Sequence, residues 1–228
     1  MAAMVECTAE QHYSLITMDD GKANALGFDM LAQLGAALDQ AEQAGKVVVI
    51  CGRPGKFSAG FDLTVMGQGG AAMLDLLRAG ASLSQRILNF PTPVVLAVSG
   101  HALAMGALLL LSADYRVGMH GMYKIGLNEV AIGMTLPYFG IALAEARLAK
   151  THLGNAVALA RVYDAAGALE AGYLDEAVSE EDLLPRAMAM AEQLASLDME
   201  AHRQTKARIR EPLNAALDAA IEKELGAH

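Results

Sequence analysis

The sequence predicts an α/β fold that passes into a helical C-terminal region. Two observations carry this. Over roughly the first 130 residues, short β-branched runs alternate with segments of helical periodicity, the arrangement that pairs strands in parallel through helical crossovers. Over roughly the last 90, strand-like runs give way to Ala/Leu-rich segments at helical spacing. The chain has 228 residues, no evident linker, no repeats and no low-complexity tract. It therefore reads as one domain over 1–228, an α/β core over 1–135 followed by a helical part over 136–228.

The elements follow in order. His12 to Met18 reads as a short strand running into an Asp19-Asp20-Gly21 turn. Phe28 to Ala44 reads as a helix, because Met30, Leu31, Leu34, Ala37, Leu38 and Ala41 recur at helical spacing and Gly45 ends the run. Lys46 to Cys51 holds a Val-Val-Val-Ile run, the mark of a strand buried on both faces. Gly52 to Gly70 reads as a Gly-rich loop. Ala71 to Phe90 reads as a helix, stopped by Pro91-Thr92-Pro93. Val94 to Val98 is a second buried strand, Leu103 to Ser112 a buried helix, and Tyr115 to Val117 a short strand. Beyond these, Ile141 to Ala160 and Leu183 to Ala195 read as helices, with a short helix and turn over Gly167 to Asp175. Glu200 to Leu225 is helical, with Pro212 as an expected break or fresh start.

Composition narrows the function classes. The chain is 54% hydrophobic and 19% charged, which excludes disorder. A net charge of −9 and the lack of a long basic run argue against nucleic acid as a partner. The densest basic stretch holds Arg203, Lys206, Arg208 and Arg210, and reads either as a solvated helix face or as a local site for a polyanion. Two cysteines, Cys7 and Cys51, set no disulfide framework, and no signal peptide is evident, so a reducing cytoplasm is the expected compartment. The apolar run from Val94 to Ala113 is near the length of a membrane span. Ser99, Gly100, His101 and Gly106 interrupt it, so strand, turn and buried helix fit it better, and no membrane is expected as a partner.

Several short motifs fail on context. Gly52 to Lys56 lacks the first glycine and the Ser/Thr of a phosphate loop, since Ile50 and Phe57 occupy those positions. Gly67 to Ala72 fits a dinucleotide fingerprint by letter but follows no buried strand. Ser99 has no nucleophile elbow around it, and His101 beside it reads as a turn or helix-start residue. No metal-ligand spacing occurs, so no metal site is expected. Of the 13 methionines most read as core filler, with Met66, Met73 and Met105 as candidates to line an apolar tunnel.

Two loops and one carboxylate carry chemical meaning. Lys56 to Leu63 and Ser99 to Gly106 each follow a buried strand, and adjacent parallel strands bring such loops together at the carboxyl edge of the sheet. Their small residues let backbone approach a ligand, and a helix starting near Leu103 presents free N–H groups. Together they suit a two-donor oxyanion hole. Glu129 stands in the apolar stretch Ile125 to Gly133 and is either a solvated loop carboxylate or a buried base with a raised pKa.

These segments resemble the crotonase (enoyl-CoA hydratase/isomerase) superfamily. The residues that carry the resemblance are Ala23 to Leu26, Phe57 to Leu63, Pro93 to Gly100, Asp114 to Arg116 and Gly126 to Glu129, in an order that spans nearly the whole chain. The resemblance implies a crotonase (ClpP-like) spiral of ββα units, an acyl-CoA thioester substrate, and a helical C-terminal region that builds a homotrimer or dimer of trimers. It assigns the backbone N–H groups of Phe61 and Met105 to the thioester oxygen. It gives the adenine and pantetheine of CoA to Ala23, Ala25 and the loop Lys56 to Gly60, including Ala59. It places Lys206 near CoA phosphates, often across a subunit boundary. No cofactor is expected beyond the CoA of the substrate.

Within that superfamily the carboxylates set the reaction. Hydratases carry two glutamates around a water. Glu129 matches one, while the position of the other is Leu108. The pattern resembles mitochondrial-type Δ3,Δ2-enoyl-CoA isomerases, in which a single Glu moves a proton from C2 to C4 of a 3-enoyl thioester, as in fatty-acid β-oxidation. Hydration of 2-enoyl-CoA, another reaction of the superfamily such as thioester hydrolysis or decarboxylation, and non-catalytic acyl-CoA binding are the alternatives. Family members usually carry Gly where Met105 stands, a departure that keeps the N–H but adds a side chain.

Overall fold

The computed structural model describes residues 3–226. Its strands are β1 (Val5–Ala9), β2 (Tyr13–Met18), β3 (Ala25–Leu26), β4 (Val47–Cys51), β5 (Gly55–Ser58), β6 (Gly60–Phe61), β7 (Val94–Val98), β8 (Gly100–Leu103), β9 (Tyr115–Met119), β10 (Ile125–Gly126) and β11 (Glu176–Val178). Its helices are α1 (Phe28–Ala44), α2 (Leu63–Met66), α3 (Gly70–Leu88), α4 (Met105–Ser112), α5 (Tyr138–Arg147), α6 (Lys150–Val157), α7 (Ala165–Ala171), α8 (Leu183–Ala195) and α9 (Met199–Leu225). A six-stranded sheet runs in the order β1-β2-β4-β7-β9-β11, and a three-stranded one in the order β10-β8-β5. Only the β1–β2 pair is antiparallel within them.

The spiral is visible in the chain order. Each turn lays one strand in the large sheet, a short one in the small sheet, and then a helix: β4, β5 and α3, then β7, β8 and α4, then β9, β10 and α5. The crotonase (ClpP-like) spiral of ββα units is therefore the fold. The sequence reason lies in β4 and β7, buried at every position. Val48, Ile50, Leu96 and Val98 pack into the larger core with α1, α3 and α4. Val47, Val49, Val95 and Ala97 face the other way, onto Leu183, Ala187, Met190 and Ala191 of α8. A strand covered on both sides has no use for alternation, hence the unbroken β-branched runs.

α1 buries Met30, Leu31, Leu34, Ala37, Leu38 and Ala41, the set its periodicity picks out. Gly45 closes it in the left-handed conformation, φ 64°. The stretch from Val94 to Ala113 folds as β7, β8 and α4, and among the described residues no helix is long and apolar enough to cross a membrane.

Four expectations need correction. The 52–70 segment is not only loop but holds β5, β6 and α2. The helix expected over Ile141 to Ala160 is two, because Leu148 and Ala149 turn extended and the Ala149 N–H bonds to Ala171 O at 3.0 Å. Pro212 does not break α9, which runs through it over 27 residues. Side chains on both sides of the proline hold the helix down: Arg210 on Asp114, Asn214 on Asn89, and the buried Leu217. That tertiary anchoring outweighs the local proline penalty. Finally, the C-terminal part is not all helix, since β11 adds to the large sheet beside β9.

Candidate active site

The two loops meet as their sequence suggests. Asn24 builds the first. It is fully buried at φ 50° and its side-chain amide donates to Met18 O (2.9 Å) and Phe57 O (3.1 Å). Ser58 Oγ donates to Asn24 O at 2.8 Å, and Ala59 N donates to Ala23 O at 3.0 Å. β3 then pairs with β6, Ala25 opposite Gly60 and Leu26 opposite Phe61. Ala23, Ala25, Ala59 and Gly60 therefore form one strip of small residues beside the start of α4. Lys56 lies on the adjoining strand β5, opposite His101 of β8. His101 is a strand residue, not a turn or helix-start residue, and its Nδ1 accepts from the Lys124 N–H at 2.9 Å.

Contact between the loops requires glycine at position 60. Its φ is +92°, and a Cβ there would stand 2.8 Å from both Leu103 O and Ala104 Cβ and 3.2 Å from Met105 N. Gly106 is equally constrained, with Ser58 O 2.6 Å from its Cβ position. Between them Ala104 holds φ 50°, ψ −123°, a strained conformation for a residue with a side chain, and its N–H donates to Gly126 O at 3.0 Å. Met105 is the first residue of α4, so its N–H has no acceptor within the helix.

The Met105 side chain turns into the core, where it is fully buried and its Cε lies 3.4 Å from the Cβ position of Gly80. The Phe61 ring packs on the same glycine. The extra side chain at position 105 is thus accommodated opposite Gly80 and is absent from the cavity wall.

That wall encloses a cavity of about 510 Å³. Ala59, Phe61, Leu103 and Ala104, from the two loops, line one end; Met66, Met73, Leu77, Leu108 and Met134 form an apolar body. Met66 and Met73 are therefore tunnel residues as expected, while Met105 is core. Glu129 also opens on the cavity, next to Asn128. It is 7% exposed, and neither its Oε2 nor Asn128 Oδ1 has a hydrogen-bond partner among the described residues. Burial pushes the Glu129 carboxyl up to about 7, against a weaker opposing bond from its own backbone N–H. β10 places it there: Gly126, φ +155°, leaves only 3.0 Å between its Cβ position and Arg161 O, and the chain then turns so that Glu129 O accepts from Ile132 N and Met134 N. Sequence reasoning missed Glu224 of α9, which also lines the cavity and whose Oε2 accepts from the Tyr138 N–H at 2.8 Å. No local motif marks it, because it arrives with the far end of a long helix.

Lys206 does not line this cavity. It is 7% exposed, its Nζ is 2.7 Å from Asp114 Oδ2, and Arg210 takes the other oxygen of the same carboxylate at 2.7 Å. Burial lowers its pKa to about 8, against the favourable pull of Asp114. The basic stretch is split: Lys206 and Arg210 form a buried ion-pair cluster on Asp114 that lines a second cavity, while Arg203 and Arg208 are exposed on the solvated face of the helix.

Several solved structures superpose closely on this chain. The solved structure of an enoyl-CoA hydratase from Mycobacterium marinum superposes with a TM-score of 0.93 at 41% identity, covering 96% of this chain and 97% of that one. An apo enoyl-CoA isomerase from Mycobacterium tuberculosis superposes with a TM-score of 0.95 at 39% identity over 100% of both chains. In sequence, the human mitochondrial enoyl-CoA delta isomerase 1 is 29% identical over 212 residues, 91% of this chain and 70% of that protein. Residues 8–228 match the enoyl-CoA hydratase/isomerase family, and the chain belongs to that family.

Proposed function

We propose that this enzyme shifts the double bond of a 3-enoyl-CoA into conjugation with the thioester, with Glu129 as the single proton carrier. The observation that carries the reading is the cavity wall that Glu129 lines: the side chain α4 contributes to it is Leu108, 1% exposed and without a group to hold a water. Glu129 takes a proton from C2. The negative charge that develops on the thioester oxygen is met by the N–H groups of Phe61 and Met105, each contributing about 2.7–4 kcal/mol where such donors have been removed in other enzymes. The proton returns at C4. A positioned base adds about 10²–10⁴-fold. A carboxyl titrating at about 7 suits both halves, since it takes and gives back one proton near neutral pH. Ala23, Ala25, Lys56, Ala59 and Gly60 are the proposed contacts of the CoA moiety, and a homotrimer or dimer of trimers is the proposed assembly.

Hydration of 2-enoyl-CoA is the second reading. Glu224 favours it as a second carboxylate on the same cavity, and hydratase names occur among relatives at like identity. Against it, Glu224 is already engaged by the N–H of Tyr138. Incubation with 3-hexenoyl-CoA, 2-hexenoyl-CoA and hexanoyl-CoA separates the outcomes. The proposal expects a product of unchanged mass and new conjugated absorbance from the 3-enoyl thioester. A product heavier by one water from the 2-enoyl thioester, with no reaction of the 3-enoyl one, would replace it with hydration.

A further inference from the structure

Behind Glu129, away from the acyl cavity, lies a row of buried polar groups that the reaction above does not use. Tyr173 follows α7 and is fully buried, and its hydroxyl lies beside the Leu127 N–H without completing a hydrogen bond; burial first, then the neighbouring Tyr163 and Glu129, push its pKa up. Its ring centroid is 5.8 Å from that of Tyr163, which is in turn 5.7 Å from that of His152 on α6. Tyr163 is tied to the Glu129 segment by two backbone hydrogen bonds with Ile125, both 2.9 Å. His152 is half-buried and forms the outer end of the row. Arg161 lies over the Tyr163 ring, 5.0 Å from its centroid. The hydroxyls of Tyr173 and Tyr163, Nδ1 of His152 and Oε2 of Glu129 are all buried and without a protein partner among the described residues.

Isolated unpartnered polar atoms in an interior are rare, and four in one row call for a common explanation. Ordered water satisfies such groups, each water bridging two or more of them. Phenylalanine at 163 and 173 would fill the same space without the desolvation cost.

We propose that Tyr173, Tyr163 and His152, bridged by water, form a proton path through which Glu129 exchanges its proton with solvent while an acyl chain fills the cavity. The inference rests on the proton-carrier reading of Glu129. The cavity wall is largely apolar, so an acyl chain that fills it displaces water from that side of Glu129. Along the path each oxygen or nitrogen gives up one hydrogen as it receives another. Every group ends in its starting protonation state, with only the isotope on Glu129 replaced. Tyr173 and Tyr163 are positioning residues in this account, since neither touches substrate.

The test is turnover of 3-hexenoyl-CoA in D₂O, with deuterium at C4 of the product read by mass spectrometry as deuterium per turnover. The wild-type product is expected to carry solvent deuterium. Tyr173→Phe and Tyr163→Phe are each expected to lower the incorporated fraction by about threefold or more, and the double variant no further, as for members of one series. A variant merely slowed by structural damage gives Glu129 longer to exchange and shifts the fraction upward, the opposite direction. His152→Ala at the half-buried end reads the path again where a tyrosine variant fails to fold. Incorporation unchanged in these variants, or a wild-type product free of deuterium, would overturn the path while leaving isomerisation in place. No turnover of 3-hexenoyl-CoA by the wild type would overturn the isomerase reading and the path with it.

Discussion

Leu108 and Glu129 line one cavity from two elements, a 1% exposed apolar side chain on α4 and a 7% exposed carboxylate after β10. The leucine offers no polar group to a water beside the carboxylate, and burial raises the Glu129 pKa to about 7.

Leu108→Glu returns a carboxylate to that wall. Hydration of 2-hexenoyl-CoA is expected to rise by about tenfold or more, because a second acid–base group can now hold the water. The variant is also expected to lose about 1–3 kcal/mol of stability from burying a polar group in an apolar setting. Product mass and a denaturant titration read both effects; a variant with no gain in hydration would show that Leu108 does not set the reaction.

The pH dependence follows from Glu129. As a base it must be ionised, so kcat/KM is expected to fall about tenfold per unit below pH 7 rather than below the ordinary glutamate range. Stability runs the other way. Between 4.5 and about 7 the folded protein holds a proton that the unfolded chain has released, so stability is greatest at low pH and declines as pH rises through 7. A shift of this size corresponds to roughly 3 kcal/mol. Glu129→Gln, neutral throughout, is therefore expected to gain stability on wild type between pH 4 and pH 8 by about that amount. Denaturant midpoints at the two pH values check it.

Gly60→Ala is expected to damage the donor loops. A methyl group at φ +92°, 2.8 Å from Leu103 O, forces β6 and the start of α4 apart. The expected signature is a fall in kcat of about 10²-fold, in line with loss of one oxyanion donor. Stability is expected to drop by about 1–3 kcal/mol from strain. Unaltered kcat would place the oxyanion donors elsewhere.

Asp114 holds two buried cations. Asp114→Ala leaves Lys206 and Arg210 uncompensated and is expected to cost about 3–5 kcal/mol, whereas Lys206→Ala leaves Asp114 paired with Arg210 and is expected to cost less. Equilibrium unfolding of the two variants gives the order directly.

The fold was legible wherever one local pattern decided an element. The buried runs of β4 and β7 and the apolar stripe of α1 are of that kind. β5, β6, β8 and β10 were not, since strands of two to four residues carry no periodicity and owe their form to glycines such as Gly60 and Gly100 packed against neighbouring backbone. In the site, the two loops and Glu129 were readable because small residues and an isolated carboxylate are unusual in apolar surroundings. The burial of Lys206 was not legible, because a basic run does not tell which face of its helix is buried, and its partner Asp114 lies 92 positions away. Glu224 reaches the site through the packing of a distant helix end, which no local motif encodes.

The central claim is that Glu129 carries the proton. Glu129→Gln keeps the size and shape of the side chain and removes the base. With 3-hexenoyl-CoA at pH 8, the rate of conjugated product formation is expected to fall by about 10²-fold or more with thioester binding retained. An isomerisation rate equal to that of the wild type would contradict it.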